Sequence, residues 1–196
     1  MPINQRQTGA GKSVKQSASQ GKQLDKPKHT KVLYDFTQGS SIEQWRPVND
    51  TVMGGRSRST AQKAKSGSLR FTGIVSLDNN GGFASLRSFG PVHDLAAYDG
   101  LILRLRGDGQ RYYFNLRNSQ GFAAPNFRLA FDTQSGQWSE VYIPFSQLQA
   151  VWRGQSYPYP VTFDPSRIVS MGILIADKQQ GPFELEIEWI KAYQEN

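Results

Sequence analysis

The chain has 196 residues, a net charge of +7 and no cysteine. The missing cysteines exclude thiol catalysis, iron–sulfur clusters, thiolate-bound zinc and a disulfide framework; a domain of this length buries about 70% of its unfolded surface without such staples. The positive charge is concentrated at one end: residues 1–31 carry seven Lys or Arg against Asp25 alone, and the remaining 165 residues hold 16 basic and 15 acidic side chains. The balanced remainder has no excess of positive charge to line a nucleic-acid groove, so no nucleic-acid partner is expected.

Residues 1–30 are polar, aperiodic and too poor in apolar side chains to offset the entropy of ordering. They are expected to form a disordered basic tail ahead of one folded domain, 31–194. The tail is either a solubilising extension or a weak electrostatic contact for an acidic partner or an anionic membrane surface. Gly9-Ala10-Gly11-Lys12-Ser13 superficially looks like a phosphate-binding loop, but it lacks the first glycine and a preceding strand. The N-terminus has neither the apolar core of a secretory signal nor the arginine pattern of a transit peptide. No apolar run reaches about 18 residues, so no transmembrane segment is expected. These features together give the expectation of a cytoplasmic protein, at most peripheral to a membrane.

Strand signals begin at residue 32. Residues 32–36 read as a short strand and 37–41 as a turn. Residues 48–57 then break periodicity with Gly54-Gly55, and 78–87 echo them with Asn80-Gly81-Gly82; paired glycines allow a left-handed turn or a close backbone approach. Residues 68–75 alternate apolar and polar with period two, as a half-buried strand does. Residues 82–89 read as the next strand, and 94–97 as one helical turn. Further strands follow at 101–106, 111–117, 126–131 and 138–143. A proline-rich loop at 157–160 precedes strands at 168–176 and 183–190; the last alternates strictly up to Trp189, with its glutamates toward water. Nine or ten short strands with regular turn signals and almost no helix predict an all-β fold, an antiparallel β-sandwich or jelly roll.

Catalytic constellations are absent from the pattern. His29 falls in the tail and His93 in a loop beside Asp94, neither with a nucleophile motif nearby. Asp78, Asn79 and Asn80 offer oxygen ligands, but a tight turn has the same composition, and no metal or cofactor is expected. Trp45, Trp138, Trp152, Tyr112, Tyr113, Tyr157 and Tyr159 either pack the core and edges or line a sugar-stacking face, the second reading being a carbohydrate-binding module. Arg104, Arg106, Arg117 and Arg128 alternate with apolar residues on central strands. They cover an outer face with their aliphatic stems or present a contact surface to an acidic partner.

Several blocks, in order and spacing, carry a family resemblance. They are Trp45-Arg46-Pro47-Val48-Asn49-Asp50-Thr51-Val52-Met53-Gly54-Gly55-Arg56-Ser57, Phe71-Thr72-Gly73, and Asn80-Gly81-Gly82-Phe83-Ala84-Ser85-Leu86-Arg87. Later come Asp99-Gly100-Leu101, Arg106-Gly107-Asp108-Gly109, Tyr113-Phe114-Asn115-Leu116-Arg117, Ile143-Pro144-Phe145, Arg153-Gly154, Met171-Gly172, and the run from Ile175 through Asp177 to Phe183. Over most of residues 31–193 the chain resembles the complex I intermediate-associated protein 30 family. The resemblance implies a galactose-binding-like jelly roll and a non-enzymatic assembly factor or chaperone. Its implied partners are protein subunits or intermediates of a membrane-bound respiratory complex or, in photosynthetic relatives, of a photosystem. It implies a functional surface of Asn49, Asp50, Met53, Gly54 and Gly55 with Asn80, Gly81, Gly82, Phe83 and Arg87. Asp50 is expected to pair with Arg87, as a clamp on the fold or as a partner contact, and Met53 either offers an adaptable contact or plugs the sandwich end. Arg104, Arg117, Arg128, Arg153 and Asp177 are secondary surface candidates.

Overall fold

A computed structural model describes residues 27–38, 42–121 and 123–195. Most of the expected basic tail, the glycine-rich stretch at 9–13 and part of the turn at 37–41 lie outside the described residues. Among the described residues thirteen strands make two sheets: β1 His29–Asp35, β2 Trp45–Pro47, β3 Arg58–Lys63, β4 Leu69–Val75, β5 Ala84–Ser88, β6 Gly100–Arg106, β7 Arg111–Arg117, β8 Asn126–Asp132, β9 Trp138–Pro144, β10 Gln149–Trp152, β11 Gln155–Ser156, β12 Ser170–Ile175 and β13 Gly181–Gln194. One sheet is ordered β3-β4-β13-β6-β9, with β1 also on β13, and the other β11-β10-β8-β7-β12-β5-β2. Every strand pair is antiparallel, which makes the fold an antiparallel jelly-roll sandwich.

Period-two alternation builds the core between the sheets. Leu69, Phe71 and Val75 of β4, Leu101, Leu103 and Leu105 of β6, Phe114 and Leu116 of β7, and Ile173 and Ile175 of β12 all point inward and are buried. β13 departs from the strict alternation expected of it. Its register shifts between Ile187 and Trp189, so Ile187, Ile190 and Ala192 face the core while Trp189 is turned partly outward. An extra residue of this kind re-aims every side chain that follows it. The bulge also divides the strand's partners: β4 pairs with Gly181–Ile187 and β1 with Trp189–Gln194.

Two other local expectations are corrected. Residues 94–97 form no helix; the Asp94 carboxylate accepts the Ala96 N–H and Tyr98 N–H donates to the Leu95 carbonyl, closing a turn around the buried Leu95. The glutamates of β13 do not simply face water. Glu184 pairs with Arg70 at 2.7 Å, Glu188 with Arg104 at 2.7 Å and Glu186 with Arg106 at 2.9 Å. Glu186 is only 5% exposed and also accepts the Ser66 and Ser68 hydroxyls.

Candidate functional site

The two glycine-rich stretches meet at Asp50. A short 3-10 turn, Asp50–Met53, follows Asn49, whose side chain accepts the Ser59 hydroxyl at 2.6 Å. The turn directs the Asp50 carboxylate inward, where it is fully buried. One oxygen accepts the Ser57 N–H at 3.0 Å; the other accepts the Ser57 hydroxyl at 2.6 Å, the Gly82 N–H at 2.8 Å and the Phe83 N–H at 3.3 Å. Burial pushes this carboxyl's pKa up, but the donated hydrogen bonds, led by the Ser57 hydroxyl, outweigh it and hold the group below the usual aspartate value. The glycines let the two loops close on the carboxylate. A Cβ on Gly55 would stand 2.4 Å from Asp50 Cγ, and one on Gly81 2.6 Å from Oδ2. Gly54 and Gly82 supply the left-handed turns beside them, at φ +89° and +129°. Asn79 Nδ2 adds a bond across the loops to the Gly54 carbonyl at 3.3 Å, and Asn80 follows in the left-handed region at φ 58°.

Asp50 therefore does not pair with Arg87, as the sequence led us to expect. Among the described residues neither makes an ion pair, and the carboxylate's lone pairs are taken by neutral donors. What the clamp leaves outside is apolar: Val52 is 73% and Met53 68% exposed. Met53 thus stands on the surface at the end of the 3-10 turn and plugs nothing.

Arg87 lies on the outer face of the seven-stranded sheet. Register carries a row across that face: Arg46 opposite Arg87, Arg87 opposite Gly172, Gly172 opposite Asn115, Asn115 opposite Arg128, and Arg128 opposite Gln149. One step along, Arg117 stands opposite Ser170. A depression of about 30 Å³ opens here, lined by Arg87, Asn115, Arg117, Asn126 and Ser170 with Gly172 at its floor. Burial lowers the pKa of both Arg87 and Arg117, and the Arg87 charge lowers Arg117 further. Arg117 Nη2 donates to the Gly121 carbonyl at 3.1 Å, while its Nε is sealed from water without a partner. A buried donor left unmatched costs about 1–3 kcal/mol.

The other arginine candidates are occupied. Arg104 lies on the opposite sheet, tied to Glu188 with its guanidinium 5.7 Å from the Trp138 ring. Arg128 lies 4.3 Å over Tyr113, whose hydroxyl donates to Asp177 at 2.6 Å. Arg153 lies 4.4 Å over Trp152. The aromatic set proposed for sugar stacking is likewise dispersed. Trp45 and Tyr112 are core residues, Trp138, Trp152 and Tyr113 are covered by the arginines just named, and Tyr157 and Tyr159 contact each other edge to face. His93 Nε2 shares a hydrogen bond with the Tyr34 hydroxyl at 3.2 Å. Among the described residues no group of three or more His, Asp or Glu is placed to hold a metal ion, and no helix is long and apolar enough to cross a membrane.

Sequence reasoning missed the lining residues Asn115, Asn126, Ser170 and Gly172. Cross-strand register alone assembles them from β7, β8 and β12, and no local spacing signals it. Arg117 and Arg87 were singled out separately, and the sheet brings them together.

The family model described as complex I intermediate-associated protein 30 matches residues 34–187. Among curated proteins, "Complex I intermediate-associated protein 30, mitochondrial" of Mus musculus is 26% identical over 185 residues, covering 83% of this chain and 56% of that protein. The protein of the same name from Drosophila melanogaster is 27% identical over 187 residues, covering 84% of this chain and 63% of that one. The chain thus spans less than two thirds of either relative's length. Among solved structures, a family 11 carbohydrate-binding module from Clostridium thermocellum, in complex with a β-1,3-1,4-mixed-linked tetrasaccharide, superposes with a TM-score of 0.63 at 17% identity. The match covers 85% of this chain and 96% of the module; at that identity the likeness is one of fold.

Proposed function

Because the chain belongs to the complex I intermediate-associated protein 30 family, we propose that it is a non-catalytic assembly factor that holds subunits or intermediates of a membrane-bound respiratory complex of the complex I type. The observation that carries this reading is the extent of the family match, residues 34–187, which takes in nearly the whole sandwich. The geometry supports it. Asp50, the most deeply buried carboxylate of the candidate set, is spent on closing two loops, and His93 is engaged by Tyr34, so neither faces a cleft as a base. What the surface offers is contact: the exposed Val52 and Met53 at the clamp's tip and the arginine-bearing face of the seven-stranded sheet. The sandwich, from β1 at His29 to the end of β13, is the working unit, acting from the aqueous side of the membrane, with the basic residues ahead of β1 as an accessory extension.

The test is deletion of the gene followed by native-gel separation of the membrane complexes, with affinity capture of the tagged full chain and identification of the subunits retained. Accumulated subassemblies of a respiratory complex, whose subunits are also captured, are the expected result. Intact respiratory and photosynthetic complexes in the deletion strain would end the assembly reading. Photosystem subassemblies would keep the holding role and change the client.

A further inference from the structure

We infer that the depression between Arg87 and Arg117 is an oxyanion site, and that its occupant is a carboxylate side chain on an acidic segment of a client protein. The identity of that carrier rests on the assembly reading; the chemistry of the site rests on its own residues. Arg87 on β5 and Arg117 on β7 flank β12, whose Gly172 puts no side chain between them. A Cβ at Gly172 would meet the Leu86 carbonyl oxygen at 2.6 Å, so the floor stays open by necessity. The Arg87 charge reaches Arg117 closely enough to depress it, and neither guanidinium has a carboxylate paired with it among the described residues. Trp45 Nε1, Tyr193 Oη and Arg117 Nε are the unmatched buried side-chain polar atoms described; only Arg117 Nε is charged, and only its residue lines the depression.

Guanidinium groups recognise planar oxyanions through paired N–H donors. The same sandwich shows the satisfied form on its other face, where Arg70 holds Glu184 through Nε and Nη2 at 3.0 and 2.7 Å. A depression of about 30 Å³ has room for one carboxylate displacing one or two waters. Asn115 and Asn126 add neutral amide groups at its wall. The arginine row continues on both sides, to Arg46 and Arg128, so an extended acidic segment lying across the strands meets positive charge along its length while one carboxylate seats.

The probe is a fluorescein-labelled hexaglutamate peptide titrated into the full chain at low and moderate salt, with ¹⁵N-arginine spectra reporting the Arg117 Nε–H directly. Saturable, salt-weakened binding is expected, with the Arg117 Nε–H resonance moving in step. Arg117→Gln and Arg87→Gln should each weaken the peptide by roughly tenfold or more, and Arg104→Gln on the opposite face by less than about twofold. The spectral shift carries the proposal if either variant fails to fold. Equal weakening by Arg104→Gln, or an unmoved Arg117 resonance, would overturn it. So would inorganic phosphate that displaces the peptide at lower concentration than acetate does, since the site would then belong to a free anion. In cells, failure of the Arg87→Gln/Arg117→Gln variant to rescue the deletion supports the client assignment. Full rescue by it sinks this inference and leaves the assembly reading standing. If deletion harms no complex while the peptide result holds, the assembly reading and its client carrier fall and only the oxyanion chemistry survives.

Discussion

Among the described residues, Asp50 sits out of water with four hydrogen-bond donors and no cation, and Arg117 is half buried with one carbonyl acceptor, an unmatched Nε and no paired anion. Glu186 stands between them, buried with both a cation, Arg106, and two hydroxyls. The loop residues around Asp50 are arranged so that nothing remains for a ligand to supply. The strands around Arg117 hold it beside a second guanidinium and leave an acceptor missing. A matched charge specifies the fold, and an unmatched one at an open depression specifies what can bind.

Removing Asp50 gives the largest expected effect. Asp50→Ala orphans the Ser57, Gly82 and Phe83 N–H groups together and should cost roughly 3–5 kcal/mol of unfolding free energy, read from urea denaturation. Asp50→Asn should fall between, because an amide nitrogen in place of either oxygen faces an N–H. The folded carboxyl lies below its unfolded value, so the stabilisation is complete above about pH 4 and is lost as pH falls from there through the folded value. The wild type should therefore lose stability in that acid window more steeply than Asp50→Asn. Parallel pH profiles would show that the hydrogen bonds do not discriminate the charged form.

The clamp's existence was legible in the sequence and its wiring was not. Two glycine pairs beside Asp and Asn announced two loops meeting, since residues of that kind need close approach or left-handed turns. The choice of Arg87 as partner followed from charge alone. Sequence holds no term for a backbone N–H aimed inward, and three of the four donors to Asp50 are such groups. Strands with an apolar period, β4, β6 and β7, were readable for the same reason that they are buried. β3, Arg-Ser-Thr-Ala-Gln-Lys, was not: it is an edge strand with little apolar side chain to mark it. The bulge in β13 was hidden because Glu188-Trp189 fits an alternating pattern as well as an extra residue does.

Gly81→Ala tests the clamp's shape with its charge intact. The added methyl meets Oδ2 at 2.6 Å and the Ser76 and Asp78 carbonyls at 3.0 Å, so a loop must move away from the carboxylate. Overpacking of this kind costs about 1–3 kcal/mol. An unchanged melting temperature would mean that the loops have slack and that the close approach is incidental.

Glu186→Gln is expected to cost less, about 1–2 kcal/mol, because an amide keeps one acceptor for Ser68 and only Arg106, with its side chain 39% exposed, is left to water. A loss as large as that of Asp50→Ala would place the second sheet's ion pairs beside the clamp as determinants of the fold.

The smallest change belongs to Arg117, and its sign is what separates the two charges. Arg117→Met keeps most of the aliphatic stem in place. It removes one hydrogen bond to Gly121, the unmatched Nε and the repulsion from Arg87. The first loss is worth about 1 kcal/mol and the gains are of the same order, so unfolding free energy should stay within about 0.5 kcal/mol of wild type or rise. A fall of 3 kcal/mol or more, the signature of breaking a buried ion pair, would mean that Arg117 already has its anion within the chain. In that event the depression has no charge left to offer a partner.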